Sequence, residues 1–382
     1  MRLCIDARPL QNGHRVRGIG ILLSNLLREM GQQLPEDAVT LITQQKAVYP
    51  SFFVHESRLE TFRIERPNRF NWLADQFFLP GLVRKSGAEL FFATDINSYL
   101  LPTAGGRVVA MVYDLIPFLF PEVMASQPRS VRLGWRVNFH KLKSADAVIA
   151  ISQATKDDLV RLFDLAAERV HVIYPGIDHS LFNMSNAGNK TSRIETLGRY
   201  GISGSFLLYV GDSEWRKNLH RCLEALSGVD PAVKLVLVGK RTLTDATLHG
   251  WIDTLGLRER VLLTGFVPDT DLPPLYGAAQ AFLFPSLYEG FGLPVAEAMA
   301  CGCPVITSTI SSKPEVAGDA ALLVNPESVE EIRAAMRRVL IDPALRESMI
   351  SSGLVQAGRF SWKRCAAETL SVLRTISAGQ ND

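Results

Sequence analysis

The apolar positions of this chain fall into short unbroken runs separated by stretches of helical spacing, and the alternation occurs twice. In the first half, 3–7, 39–43, 90–93, 108–113, 147–151 and 170–174 are runs of the length and composition of buried strands. Leu22, Leu26 and Met30 recur at helical spacing, as do Leu23 and Leu27, which predicts a helix over about 21–30. A second helix is predicted over 129–143. It places Val131, Trp135, Phe139 and Leu142 beside a face of Arg129, Arg132, Arg136, His140 and Lys143. Ser152 and Thr155 offer N-caps for a third helix, with Asp158 completing a Thr-x-x-Asp pattern. In the second half, strand-like runs at 206–210, 233–238, 261–264, 281–284, 305–307 and 321–324 alternate with helical patterns. Those patterns cover 219–226, 244–255, 271–278, 329–341 and 362–376. Strand and helix in alternation predict an α/β chain with largely parallel sheets. Residues 183–204 begin with Ser, Asn, Gly, Lys and Thr and read as a linker. The expected organisation is a first domain over 1–185, a second over 186–360, and a terminal helix over 361–382. Two open sheets joined by a linker imply a cleft between them, with ligands at the C-terminal ends of the strands.

Length and charge agree with that division. A chain of 382 residues suits two domains of roughly 100–200 residues each. A net charge of +2 is too balanced to argue for a nucleic-acid partner. The cysteines, Cys4, Cys222, Cys301, Cys303 and Cys365, are odd in number and lack zinc spacing, which favours a reducing compartment. The N-terminus starts a strand at once and has no signal-peptide core. No apolar run approaches the ~18–20 residues that span a bilayer. The expectation is a cytoplasmic protein that works at a membrane only by lying on it. The 129–143 helix could rest on anionic lipid, or its apolar stripe could pack on the domain and leave a solvated basic face. A second basic-aromatic stretch, 66–85 with Trp72, Phe77 and Phe78, bears on the same question.

The densest candidate chemistry lies at 285–299, directly after the buried run 281–284. The chain turns on Gly290 and Gly292 and opens a helix with Pro294 at the first helical position. Backbone N–H groups near Val295 and Ala296 then stand at a positive helix end, which suits a phosphate. Glu289 precedes the turn and can reach sugar hydroxyls. Glu297 lies in the first helical turn, where it could equally complement the dipole. Elsewhere, Gly18 and Gly20 follow the first strand and either admit a ligand close to the backbone or make a tight turn. Asp114 ends a strand at the sheet edge where open α/β proteins bind ligands, or it simply forms the turn there. Gly211-Asp-Ser-Glu-Trp-Arg-Lys-Asn218 follows a strand of the second half as a polar loop. Asp269-Thr-Asp271 has Asp-x-Asp spacing, but its place after Pro268 suits a turn with Asp271 capping the next helix.

The run Gly265-Phe-Val-Pro through Leu272-Pro-Pro-Leu-Tyr to Phe284-Pro-Ser-Leu-Tyr-Glu-Gly-Phe-Gly-Leu-Pro-Val-Ala-Glu-Ala-Met resembles the donor-site signature of the retaining family 4 glycosyltransferases. Those enzymes have the GT-B fold of two Rossmann-like domains with an interdomain cleft. Further matches are Arg17-Gly-Ile-Gly20, Tyr113-Asp-Leu-Ile-Pro-Phe, Ala150-Ile-Ser-Gln-Ala-Thr155, Tyr174-Pro-Gly-Ile-Asp178, Gly211 with Arg216-Lys-Asn218, and Phe360-Ser-Trp362. The resemblance implies that Arg216 and Lys217 hold a nucleotide diphosphate. It implies that Glu289 holds the donor sugar and Glu297 the ribose. Phe291, Gly292 and Leu293 would present backbone N–H groups, and Gly18 and Gly20 would close against the diphosphate. Asp114 would contact sugar or acceptor, although Tyr113 stands where many members have His. No metal and no further cofactor is implied, because cations and helix dipoles stabilise the leaving diphosphate. The terminal helix would pack back on the first domain. The pattern further resembles mannosyl- and rhamnosyltransferases of bacterial O-antigen and other surface polysaccharides. That favours a GDP-sugar donor and a glycan or polyprenyl-linked acceptor. The alternatives are a soluble glucosyltransferase using UDP- or ADP-glucose, or a non-catalytic GT-B protein that binds a nucleotide sugar. Base selection would involve 239–241 and 266–268.

Overall fold

Two sheets, each wholly parallel, organise the protein in a computed structural model that describes residues 1–10, 18–34, 38–43, 59–63, 79–96, 106–240 and 244–379. The first contains β1 (Arg2–Asp6), β2 (Ala38–Thr43), β3 (Leu59–Arg63), β4 (Leu90–Ala93), β5 (Arg107–Val112), β6 (Ala147–Ala150) and β7 (Val170–Val172). Their order is β3-β2-β1-β4-β5-β6-β7. The second contains β8 (Phe206–Val210), β9 (Lys234–Val238), β10 (Val261–Gly265), β11 (Ala281–Phe284), β12 (Val305–Ser308) and β13 (Ala321–Val324), ordered β10-β9-β8-β11-β12-β13. In each sheet the chain lays strands outward on one side of the first strand and then returns to its other side. That reversal is the Rossmann arrangement, and it opens a crevice at the strand C-termini beside β1 and β4 and beside β8 and β11. The β4 strand and β11 are buried at every position, as strands covered on both faces must be.

The chain divides into two compact units, Met1–Gly176 with Trp362–Asp382 and Ile177–Ser361. In the first, Phe91, Val108, Phe139, Leu142 and Leu159 share one core. The terminal helix Trp362–Ala378 belongs to this unit and packs against the helix Gly18–Gln33. The Arg107 guanidinium donates to the carbonyl of Ile376, and Gln33 donates to that of Lys363 at 3.2 Å. In the second unit, Leu207, Tyr209, Leu223, Leu237 and Met336 form the core.

The expected linker is helical instead. Asn183 caps the helix Met184–Gly188 by accepting from the N–H of Asn186, and Asn189 caps Lys190–Arg199 by accepting from Ser192. The same Asn residues that suggest a loop by composition here start helices. Both helices belong to the second unit, so its start lies at Ile177 rather than 186. The helix Met184–Gly188 packs closely on Leu272–Ala278 at a position that only glycine fits. A Cβ on Gly277 would lie 2.4 Å from the carbonyl oxygen of Ala187. Asp271 does not cap that helix with its side chain. Its carboxylate accepts from Arg199 at 2.5 Å and from the Tyr200 hydroxyl at 2.8 Å, and so ties two helices together.

The basic helix runs Arg129–Lys141 and continues as a tighter turn over Leu142–Ser144. Phe139 and Leu142 enter the core, and Phe139 meets Phe118 and Phe163 at 4.4 and 5.0 Å between centroids. The C-terminal half of its apolar stripe therefore serves the fold, while Val131 and Trp135 are partly exposed. Arg129, Arg136, His140 and Lys143 are exposed, together with Leu133. Residues 66–78 of the second basic-aromatic stretch lie outside the described residues.

Candidate active site

The loops after β8 and β11 meet at the crevice of the second sheet, and a set of short-range bonds fixes them together. The loop after β8 ends in a tight turn, Trp215–Lys217, followed by Asn218 in the left-handed region at φ 61°. Asn218 is buried. Its amide donates to the carbonyls of Pro285 and Pro326 at 3.0 and 2.6 Å, and the Arg216 carbonyl accepts from Leu287 N–H at 2.7 Å. From the other side, hydroxyls at the end of β12 and in the loop beyond it hold the end of β11 and the loop after it. Thr307 and Ser308 donate to the carbonyls of Phe284 and Ser286, both at 2.8 Å. Ser311 donates to the Glu289 carbonyl at 2.7 Å, and Ser312 is 2.6 Å from that of Phe291. The backbone around Glu289 is therefore placed by its neighbours before any ligand arrives, which is the preorganisation a binding site needs.

Arg216 stands at the centre of this region. Its guanidinium meets Glu214 and Glu289, each at 2.8 Å, and lies 3.3 Å from the Tyr288 carbonyl. Lys217 lies across Gly211, where a Cβ would come within 3.0 Å of its ammonium. That ammonium sits 5.5 Å from the centroid of the Phe284 ring. Burial pushes the Glu289 carboxyl up, but Lys217, Arg216 and Lys313 together hold it below the usual carboxylate range. Lys313 is a residue the sequence pattern did not single out. Its side chain is fully buried, and burial pushes its ammonium down to about 7 despite the attraction of Glu289. Nothing in Ser311-Ser-Lys-Pro-Glu315 distinguishes it from a solvated turn lysine, because its burial comes from tertiary packing.

The turn itself follows the sequence pattern closely. Gly292 caps the helix Leu293–Ala300 in the left-handed region at φ 102°, with Pro294 in the first turn. Phe291 is buried with its ring 5.2 Å from that of Phe360. One expectation changes. The N–H of Val295 donates to the Gly292 carbonyl at 3.0 Å, and Pro294 has none to give. The first turn is thus poorer in phosphate donors than expected, and more of the positive charge rests with side chains. Glu297 falls in the second turn of this helix rather than the first, because the helix starts at Leu293; it is half-buried, and burial with the nearby Asp269 carboxylate pushes its carboxyl up to about 8.

Arg216, Lys217, Glu289, Phe291, Gly292, Leu293 and Glu297 all belong to the second unit, whereas Gly18, Gly20 and Asp114 belong to the first. Gly18 and Gly20 lie in the first turn of the helix Gly18–Gln33, which begins earlier than its apolar spacing indicated; Arg17 lies outside the described residues. Asp114 follows β5 and accepts from the Ile116 N–H at 3.1 Å, forming the local turn. The preceding Tyr113 is buried. Burial, with the Asp95 and Asp6 carboxylates, holds its phenol well above the usual range. Asp6 and Arg8 form a buried ion pair at 2.8 Å beyond β1, a pair that escaped the motif reading.

Two Rossmann sheets in one chain, one with an arginine–glutamate pair and a neighbouring lysine at its crevice, define a glycosyltransferase of the GT-B fold. The chain belongs to glycosyltransferase family 4. The model of that family, described as Glycosyltransferase Family 4, matches residues 16–181, and the model described as Glycosyl transferases group 1 matches 203–354. The chain is 34% identical over 286 residues to the O-antigen chain mannosyltransferase B of Escherichia coli, covering 73% of each chain. It is 31% identical over 403 residues to the serotype-specific mannosyltransferase WbdA of Escherichia coli, covering 96% of this chain and 47% of that one. Among solved structures it superimposes on a sucrose-phosphate synthase of Thermosynechococcus elongatus with a TM-score of 0.78 at 20% identity, over the whole of both chains. That similarity concerns the fold alone.

Proposed function

We propose that the protein moves a hexose, mannose in the favoured reading, from a nucleotide diphosphate sugar to a glycan or polyprenyl-linked acceptor during assembly of a cell-envelope polysaccharide. The observation that carries this is the Glu289 carboxylate held among Arg216, Lys217 and Lys313. Three cationic side chains against Glu289 and the more exposed Glu214 suit a ligand that brings hydroxyls for the acid and a diphosphate for the bases. As the glycosyl–oxygen bond breaks, negative charge grows on the diphosphate. Arg216 and Lys217 stabilise it without a metal in this reading. The acceptor oxygen then bonds to the anomeric carbon on the face the diphosphate leaves, with retention. The names of the two Escherichia coli relatives support mannose, and that of the first an O-antigen product; mannose favours a GDP-sugar.

The test is a thermal-shift and transfer screen of GDP-, UDP- and ADP-hexoses. GDP-mannose should stabilise the protein by about 2.7 kcal/mol at a hundred times its Kd. Lys217→Ala should weaken that binding by at least about tenfold, as loss of a charge-assisted contact does. If no nucleotide sugar shifts the melting temperature, or Lys217→Ala binds as before, the assignment fails.

A peripheral site on the inner face of the cytoplasmic membrane fits the same reading. Among the described residues, no helix is long and apolar enough to cross a membrane. The exposed Arg129, Arg136 and Lys143 beside Leu133 offer a surface for anionic lipid. Binding to phosphatidylglycerol vesicles that rises with anionic lipid and falls with salt would agree with this placement, and salt-insensitive or absent binding would not.

A further inference from the structure

The donor region contains two complementary polar atoms that meet nothing. One is Nζ of Lys313, which is buried and has no hydrogen-bond partner; the other is Oε1 of Glu289, also buried and unpartnered. The remaining oxygen of Glu289 is taken by Arg216 at 2.8 Å. The charge of Lys313 acts on Glu289 and on Arg216, so the three groups are neighbours. The lysine stem runs beneath the turn after Glu289, with its Cδ 3.9 Å from where a Cβ on Gly292 would stand. Its position is fixed rather than adaptable. The preceding Ser312 is bonded to the Glu289 and Phe291 carbonyls at 2.9 and 2.6 Å. Buried polar groups are nearly always satisfied, and a lysine ammonium is among the costliest to leave bare.

A buried cation and a buried carboxylate oxygen that lie near each other yet do not pair call for a third group that serves both. A hydroxyl does so. Its oxygen accepts from the lysine, and its hydrogen is donated to the carboxylate. A methylene or methyl at the same place can do neither. We infer that Lys313 is a specificity-determining residue of the donor site, holding together with Oε1 of Glu289 one particular hydroxyl of the donor sugar. The inference rests on the reading of Glu289 as the sugar-holding acid, and it adds a partner that reads the same hydroxyl from the other side. Sites that bond a hydroxyl on both sides reject the deoxy analogue strongly, because both groups are left unpaired when it binds.

The test compares kcat/KM for GDP-mannose with that for GDP-mannose analogues each lacking one sugar hydroxyl, in the wild type, Lys313→Met and Glu289→Gln. Methionine fills nearly the volume of the lysine stem without the charge, so the variant folds. In the wild type one analogue should be rejected by about a thousandfold or more. In Lys313→Met that ratio should fall at least about tenfold, mainly through loss of activity on GDP-mannose, while the ratios for the other hydroxyls stay put. Lys313→Arg should not restore it, because the longer planar group does not fit the pocket. A uniform fall across all donors would mean that the lysine only supports the fold, and an unchanged ratio would mean that it does not read the sugar. Either result overturns the inference. If Glu289→Gln still loses the discrimination in that case, the donor-site reading stands without Lys313. If Glu289→Gln also retains it, the donor-site reading falls too.

Discussion

Replacing Lys313 with methionine should make the protein more stable while impairing its chemistry. Burial lowers the Lys313 ammonium from 10.5 to about 7 on folding. A base whose folded value lies below its unfolded value is protonated in the unfolded chain over a range where the folded chain leaves it neutral. Stability then rises with pH across that range, from about 7 to 10.5. At 1.36 kcal/mol per pH unit, and allowing for half-protonation at pH 7, the lysine costs about 4 kcal/mol at pH 7. The cost drops to about 3 kcal/mol at pH 8.5 and about 1 kcal/mol at pH 9.5. Methionine avoids it at every pH. Glu297 works in the opposite direction. Its carboxyl is raised to about 8, so its contribution is full at low pH and lost as pH rises toward 8. It is common to both proteins and cancels in their difference. Urea unfolding of wild type and Lys313→Met at pH 7, 8.5 and 9.5 measures that difference directly. Even at half the calculated size, the melting temperature at pH 7 should rise by about 4–8 °C, given the size of the second unit. A variant less stable than wild type at pH 7 would refute the reasoning, as would a stability gap that does not narrow toward pH 9.5.

Two further outcomes follow from other parts of the second unit. Gly277→Ala should destabilise it by about 1–3 kcal/mol, because the new methyl would stand 2.4 Å from the Ala187 carbonyl and force two helices apart; thermal melting checks this. If Glu297 holds the ribose by accepting a hydroxyl on each of its oxygens, it must be ionised, because the protonated acid gives up one acceptor to its own proton. Donor affinity should then strengthen as pH rises from 7 through about 8 and level off above, with Glu297→Gln showing no such rise in KM measurements across that range.

The strands, the long helices and the glutamate turn were legible because each depends on local pattern. A buried parallel strand needs an apolar run, and β11 has one in Ala281-Phe-Leu-Phe284. Gly292 announces a left-handed backbone, and Pro294 a helix start, with no knowledge of the rest of the chain. The misreadings are equally physical. Asn183 and Asn189 sit among polar residues and look like loop, yet an asparagine is also a favoured helix cap, and each here accepts from the N–H three residues on. Asp271 had the right position for a cap but found Arg199 and Tyr200, which lie some seventy positions earlier in the chain. A charge-assisted bond there outcompetes the backbone N–H.

Lys313 shows where sequence reading stops. Its role depends on three loops that only the topology assembles. The order β10-β9-β8-β11-β12-β13 puts the ends of β8, β11 and β12 side by side. The loop after β8 then delivers Arg216 and Lys217, that after β11 delivers Glu289, and that after β12 delivers Ser311, Ser312 and Lys313. The first sheet has the same reversal beside β1 and β4, and there, among the described residues, the charged pair is matched, although the buried Tyr113 hydroxyl has no partner. Asp6 pairs with Arg8, and the Thr94 hydroxyl donates to the Asp6 carbonyl at 2.5 Å. In the second sheet, a carboxylate oxygen and an ammonium remain unmatched beneath the turn. The same fold thus yields one crevice whose ion pair is satisfied internally and one that reserves opposite charges for a ligand. Natural chains keep such unpaired buried groups where function requires them, at a cost in stability. A stabilising Lys313→Met that loses hydroxyl discrimination would show that trade at a single residue.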